Sequence, residues 1–159
     1  MSIAIRPYAP ADRQAVIGLV HQLNLFEDGI SADRARDLKA AEACLESDLR
    51  RVGRDGGALM VALDGAEPVG MMCFVLEPPQ PYLRADLGRV GWVTELVVDE
   101  RYRGQGIGTA LLEEAQRLAR GHGVRRLMIG AIVGNTIARK AYERFGFRPA
   151  VMELAKDLE

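Results

Sequence analysis

The chain has 159 residues, of which 48% are apolar and 27% charged. That balance suits a globular protein with one core and leaves too little length for two ordinary domains, so residues 1–159 are expected to form a single domain and general disorder is excluded. Lysine plus arginine (21) nearly cancels aspartate plus glutamate (22), for a net charge of −1. No global field exists to hold nucleic acid or an anionic membrane, so partners must be chosen by a local site. Cys44 and Cys73 are too few for a disulfide framework, and with only His21 and His122 beside them no metal site is expected. No run of about 18 apolar residues is present, and Met1-Ser-Ile-Ala-Ile-Arg6 meets charge too early for a signal peptide, which predicts a cytoplasmic protein.

In chain order, Ser2–Arg6 alternates as a short strand that Pro7 ends. A helix is expected after Pro10 and Asp12, with Ala15, Val16, Leu19, Val20 and Leu23 at helical spacing, and the turn residues of Asn24–Ser31 are expected to break it. Leu38, Ala41, Leu45 and Leu49 mark a second helix. After the loop Gly53–Gly57, the strands Ala58–Leu63 and Val69–Leu76 flank Asp64-Gly65 as a hairpin. Pro78, Pro79 and Pro81 stiffen a loop that runs to Gly88, and Arg89–Val98 is the next strand. Gly104–Gly121 reads as a helix with Leu111, Leu112, Ala115, Leu118 and Ala119 on its buried face. Arg125–Ile132 follows as a strand, Asn135–Phe145 as a helix and Phe147–Leu154 as a last strand. Three consecutive strands pair antiparallel, and the later strand–helix–strand units add a parallel section with right-handed crossovers. The fold class expected is α+β, a mixed, mostly antiparallel sheet flanked by about four helices.

The segment Val97-Val-Asp-Glu-Arg-Tyr-Arg-Gly-Gln-Gly-Ile-Gly-Thr109 carries the chemistry. A strand ends, a polar turn follows, and a helix opens on Gly104, Gly106 and Gly108. Such an entry aims unsatisfied amides and the positive end of the helix dipole at one spot, and glycine lets a phosphate approach the backbone. Arg101 and Arg103 add positive charge there. No lysine follows any of these glycines, as a P-loop needs, and Gly-x-Gly-x-Gly is not the Gly-x-Gly-x-x-Gly of a dinucleotide fold, so both nucleotide readings are weakened. A nucleotide-binding oxidoreductase is disfavoured on the same ground.

Arg103-Gly-Gln-Gly-Ile-Gly108 resembles the Arg/Gln-x-x-Gly-x-Gly/Ala loop that grips the acetyl-CoA pyrophosphate in the GNAT (GCN5-related) N-acetyltransferases. Asn135-x-x-Ala138-x-x-x-Tyr142-x-x-x-Gly146-Phe147 is similar to that family's downstream helix motif, and Ile5-Arg-Pro-Tyr-x-Pro-x-Asp12 to its usual opening. The resemblance covers nearly the whole chain. It implies a sheet of six to seven strands, acetyl-CoA as cosubstrate without a metal, and an amine acceptor. It also implies that the amides of Arg103, Gly104, Gln105, Gly106, Ile107, Gly108 and Thr109 hold the pyrophosphate. The strand end Leu96, Val97 and Val98, splayed by a bulge, would pair with the pantetheine arm, and Asn135 would touch that arm from the opposite wall. A homodimer is possible, as in many relatives.

Acyl transfer to an amine needs a group that takes the amine's proton and one that protonates the leaving thiolate. Glu95 interrupts the apolar strand Trp92–Val98, which is costly unless that face lines a cleft or the charge is paired; in a cleft its pKa rises toward the useful range. It is the candidate base, against the plainer roles of arginine partner or solvent-facing residue. Tyr142 shares a helical face with Asn135 and Ala138 and is the candidate acid, against a packing role beneath Phe145 and Phe147. Cys73 reads as core, so direct attack by the amine is the simpler route. The acceptor stays open. Phe26, Glu27 and Asp28 would suit a cationic amine, whereas Arg84 and Arg89 would suit an amino acid's carboxylate. A non-enzymatic acyl-CoA-binding sensor or module is the alternative function.

Overall fold

The computed structural model describes residues 1–159. Its elements are β1 (Ile3–Pro7), α1 (Arg13–Ser31), α2 (Leu38–Asp55), β2 (Gly57–Asp64), β3 (Glu67–Glu77), β4 (Val90–Val98), α3 (Ile107–Gly121), β5 (Leu127–Ile129) and α4 (Thr136–Phe145). The strands form one open sheet in the order β1-β2-β3-β4-β5, antiparallel except for the parallel pair β4–β5. The α+β class, the mostly antiparallel mixed sheet and the four helices agree with the sequence expectation.

Period-2 alternation divides the sheet's side chains between two cores. Leu59, Val61, Leu63, Met71, Cys73 and Val75 face α1 and α2, where they meet Val16, Leu19, Val20, Ala41 and Leu45. Met60, Ala62, Met72, Phe74 and Leu76 face α3 and meet Ile107, Leu111 and Ala115. β3 is buried on both sides from Val69 to Leu76, which explains its unbroken apolar run. Each fully buried Leu, Phe or Met here contributes about 1.5–3 kcal/mol. The first crossover is pinned by Asp12, which accepts from the Arg6 guanidinium (2.7 and 2.9 Å) and the Ala9 amide (2.8 Å). Arg6, helped by the amide, holds the Asp12 carboxyl below its ordinary range.

Three expectations fail. The expected loop Gly53–Gly57 shrinks to Gly56, because α2 continues through Asp55 and β2 begins at Gly57. Asn24–Ser31 does not break the first helix. α1 continues through it, Ser31 Oγ donates back to the Glu27 carbonyl (3.0 Å), and the helix ends at Ala32 in the left-handed region (φ 56). Tertiary contacts override the turn propensity of these residues: Asn24 is buried and Ile30 packs on Gly134. The sheet also has five strands, not six to seven, because Phe147–Leu154 forms none. Gly146 closes α4 in a left-handed conformation (φ 113), Pro149 has no amide to donate, and β5 offers an edge of only three residues. Val151, Met152 and Leu154 are left exposed.

Two glycines near the α2–β2 junction make opposite predictions. Gly53 lies inside α2 with open space around it, so Gly53→Ala is expected to stabilise by about 0.5–1 kcal/mol. At Gly57 (φ +120) an added Cβ would stand 2.0 Å from the Phe74 carbonyl oxygen, so Gly57→Ala is expected to destabilise by more than about 2 kcal/mol. Thermal and urea unfolding of the two variants check both.

Candidate active site

The register of β3 against β4 shifts at Cys73/Phe74. Cys73 stands opposite Glu95 and Phe74 opposite Val93, so Thr94 is an extra residue in β4. Val93 and Leu96 pack in the α3 core. Thr94 and Glu95 both turn to the other face, where Thr94 meets Asp48 of α2 and Glu95 senses Asp48, Glu27 and Arg34. At the same point β4 parts from β5. Their pairing covers only Gly91–Val93 with Leu127–Ile129, and from Thr94 to Val98 the β5-side edge of β4 is free. The bulge and splay implied by the resemblance are thus present, at Thr94.

Past Val98 the chain turns on Asp99, which is 5% exposed. Its carboxylate accepts from the Arg101 amide (2.9 Å), the Arg101 guanidinium (3.0 Å) and Gln22 Nε2 (3.3 Å). Arg101 outweighs the cost of burial and brings the Asp99 carboxyl down to about 2. Gly104 (φ 74) and Gly106 (φ 85) then take left-handed conformations. The first hydrogen bond at the start of α3 runs from the Ala110 amide to the Gly106 carbonyl (3.0 Å), and the amides from Arg103 to Thr109 have no protein acceptor. A Cβ at Gly104 or Gly106 would meet nothing within 4 Å, and one at Gly108 only Val98 Cγ2 at 3.9 Å. Packing therefore does not require these glycines to be small. They leave open space around a row of free donors at a helix N-terminus, a geometry whose chemistry suits a phosphate. Arg103 lies at the rim of this space, donating to the Val98 carbonyl (3.1 Å) with its guanidinium 5.2 Å from the Phe26 ring centre.

Glu95 makes no hydrogen bond or ion pair with the protein. Burial, then the like charges of Asp48 and Glu27, push its carboxyl up to about 8 against the pull of Arg34. It is half-buried, and no arginine lies within ion-pair distance of it. Tyr142 projects from α4 into the same electrostatic neighbourhood. Burial, with Glu27 and Glu95 adding to it, pushes its hydroxyl up to about 12. It also packs edge-on against Phe147 at 6.0 Å, and Phe145 stacks on Phe147.

The remaining candidates divide. Leu96, Val97 and Val98 lie along the open edge of β4, Val97 with its side chain in the α1/α2 core; Ile107 is buried, leaving only its amide for a ligand. Asn135 caps α4, its side-chain oxygen accepting from the Ala138 amide (3.1 Å), and its Nδ2 group has no protein acceptor. Phe26, Glu27 and Asp28 belong to the last turns of α1. Glu27 is paired with Arg34 (3.0 Å) and Asp28 with Arg36 (2.8 Å). Arg84 is held by Asp86 through two donors (2.9 and 2.7 Å), whereas Arg89 donates a single bond to the Asp55 carbonyl (2.9 Å). Three residues of the site were missed in the sequence: Thr94, Arg34 and Asp48. Only Asp48 left a signal there, as an acid on the apolar stripe Ala41, Leu45, Val52 of α2.

The family model described as the acetyltransferase (GNAT) family matches residues 24–147. The chain belongs to the GNAT acetyltransferase family. This GNAT chain is 37% identical over 62 residues to a spermine/spermidine N(1)-acetyltransferase of Bacillus subtilis, covering 38% of the chain and 40% of that protein. It is 29% identical over 96 residues to an uncharacterized N-acetyltransferase of the same organism, covering 60% and 58%. It thus matches less than two thirds of the length of these curated relatives. Among solved structures it resembles glucosamine-6-phosphate N-acetyltransferase from Arabidopsis thaliana, with 20% identity, a TM-score of 0.71 and 100% of both chains covered. It also resembles a predicted acetyltransferase with acetyl-CoA from Clostridium acetobutylicum, with 17% identity, a TM-score of 0.73 and coverage of 98% and 96%. At these identities the structural likeness is one of fold. No helix of the GNAT chain is long and apolar enough to cross a membrane.

Asp99 yields a signed pH prediction. Its folded carboxyl titrates at about 2, below the ordinary value of about 3.9. The stability it adds is therefore present above pH ~4 and lost as pH falls toward 2. Asp99→Asn is expected to lower the melting temperature at pH 7, with the gap to wild type closing between pH 4 and pH 2 in a thermal-melt series.

Proposed function

We propose that residues 1–159 form an acetyl-CoA-dependent N-acetyltransferase domain that acetylates a primary amine of a small molecule or peptide by direct attack in a ternary complex. The observation that carries this reading is Glu95. It is an unpaired, half-buried carboxylate, placed by a bulge at the mouth of the split between β4 and β5 and poised near neutral pH. The residues also fit the cosubstrate. The free amides of Arg103–Thr109 suit a pyrophosphate, the open edge of Leu96–Val98 suits an amide-bearing arm, and Asn135 Nδ2, which the family resemblance assigns to that arm, has no protein acceptor. Acetyl-CoA supplies the activated acetyl group as a thioester.

The chain's own groups hold the amine and move its proton. A cationic amine entering beside Glu27, Asp48 and Glu95 is attracted electrostatically. The Glu95 carboxylate takes its proton, leaving the nitrogen lone pair free, and a carboxyl near 8 matches that task better than an ordinary one. The Tyr142 hydroxyl, held protonated, is suited to donate toward a departing thiolate. The amine acceptor is supported by the 37% identity to the spermine/spermidine acetyltransferase and by the engagement of Arg84 with Asp86.

The test is acetyl-CoA-dependent thiol release over a panel of polyamines, aminoglycosides, amino acids and lysine peptides. At least one cationic amine is expected to turn over, with kcat/KM rising as pH increases through about 8, where Glu95 of the free protein ionises. Glu95→Gln is expected to remove that limb and to cost roughly 10²–10⁴-fold in kcat. Tyr142→Phe is expected to lower kcat with little change in acetyl-CoA affinity. Gly106→Arg is expected to abolish acetyl-CoA binding by filling the cradle. Acetyl-CoA that stabilises the fold while every acceptor fails would favour an acyl-CoA-binding module.

A further inference from the structure

Asp48 stands where a leucine belongs. It lies in the middle of α2 on the stripe formed by Ala41, Leu45 and Val52, is 6% exposed, caps no helix end and forms no ion pair within 4 Å. Its Oδ2 has no hydrogen-bond partner in the protein, and neither has Oγ1 of Thr94, the bulge residue beside it. Cys73, which stands opposite Glu95 in the sheet, is its other close neighbour. A buried carboxylate without an ion pair costs several kcal/mol relative to an apolar side chain of similar size, and the neighbouring Arg51, Cys73 and Thr94 offset that cost only in part. What the position does provide is a second carboxylate directly behind the bulge that turns Glu95 inward.

We infer that Asp48 is a positioning residue for the proton transfer at Glu95, supplying a negative charge behind it that strengthens Glu95 as a base and draws a cationic amine into the split. The inference rests on the acetyltransferase reading above for its link to turnover, and on the fold alone for its electrostatics. In the step itself the N–H bond of the ammonium breaks, its electron pair stays on nitrogen, and the proton forms a bond to a Glu95 carboxylate oxygen. Asp48 neither gains nor loses a proton.

The charged and titratable groups facing this pair set the sign. From α1, Glu27 also raises the proton affinity of Glu95, but it is paired with Arg34, which follows α1 and pulls the other way. From α2, Arg51 favours the charged form of Asp48, but its guanidinium is shared with Glu77 and Asp55. Cys44 and Cys73, both pushed up by burial, stay protonated thiols, and Tyr142 of α4 stays a neutral phenol. Asp48 is therefore the one carboxylate near Glu95 that no ion pair neutralises. Burial lifts it to about 6, so it is mostly ionised at neutral pH, while Glu95, at about 8, still holds its proton.

The experiment is a carboxyl ¹³C NMR titration of the ligand-free protein, with the Glu95 resonance assigned by its loss in Glu95→Gln. The wild-type resonance is expected to titrate near pH 8 and to show a smaller inflection near pH 6 as Asp48 ionises. In Asp48→Asn, which is isosteric and removes a buried charge, the inflection is expected to vanish and the midpoint to fall by roughly one pH unit. The acid limb of kcat/KM should move down with it, and KM for a cationic amine should rise. An unchanged Glu95 midpoint in a folded Asp48→Asn protein overturns the proposal, even if the melting temperature changes, because a purely structural Asp48 would move only the latter. Should Asp48→Asn fail to fold, a wild-type resonance without the inflection near pH 6 overturns it equally. A shifted midpoint in a protein that acetylates no amine upholds the coupling and counts against the acetyltransferase reading instead.

Discussion

β4 carries one residue more than β3 can pair with, and the site is built around that residue. A regular ladder would send Thr94 and Glu95 to opposite faces of the sheet. The bulge sends both toward α1 and α2 and ends the pairing with β5 after Val93. One irregularity thus buries a carboxylate beside Asp48, frees the edge of β4 from Thr94 to Val98, and aims the strand end at the turn on Asp99. Cores of ordinary density above and below hold the bulge in place, with Phe74 and Met72 under α3 and Cys73 and Met71 under α1 and α2.

The second constraint is polar. Every helix leaves its first amides without intrahelical acceptors, and here the unpaired row extends back from Thr109 to Arg103 at an exposed entry where glycines keep side chains away. The conformation does not come from flexibility. Asp99 fixes the preceding turn through Arg101 and Gln22, which ties the loop to α1, and Arg103 lies over Phe26 of the same helix. The glycine loop and Glu27 are therefore tied to the same helix, and α1 is the element that joins them.

Much of this was legible in the sequence because it breaks local rules. A glutamate inside Trp92–Val98 and alternating glycines at a helix start contradict strand and helix preferences, and such conflicts mark functional sites. The helices and the hairpin were legible from periodicity. What was hidden depended on register and on contacts between distant segments. No periodicity identifies Thr94 as the unpaired residue, since the shift is defined only against Cys73 and Phe74. The turn-like Asn24–Ser31 stays helical because Ile30 and Phe26 find partners at Gly134 and Arg103, more than seventy positions away in the sequence. Phe147–Leu154 has strand-like composition but no edge long enough to receive it.

The most direct measurement is a titration of ¹⁵N-labelled protein with acetyl-CoA, followed by amide chemical shifts. Binding in the split predicts the largest changes at the amides of Arg103–Thr109, accompanied by Leu96–Val98 and the Asn135 side chain. Changes absent from Arg103–Thr109, or centred on another face of the sheet, would contradict both the cradle and the chemistry proposed for Glu95.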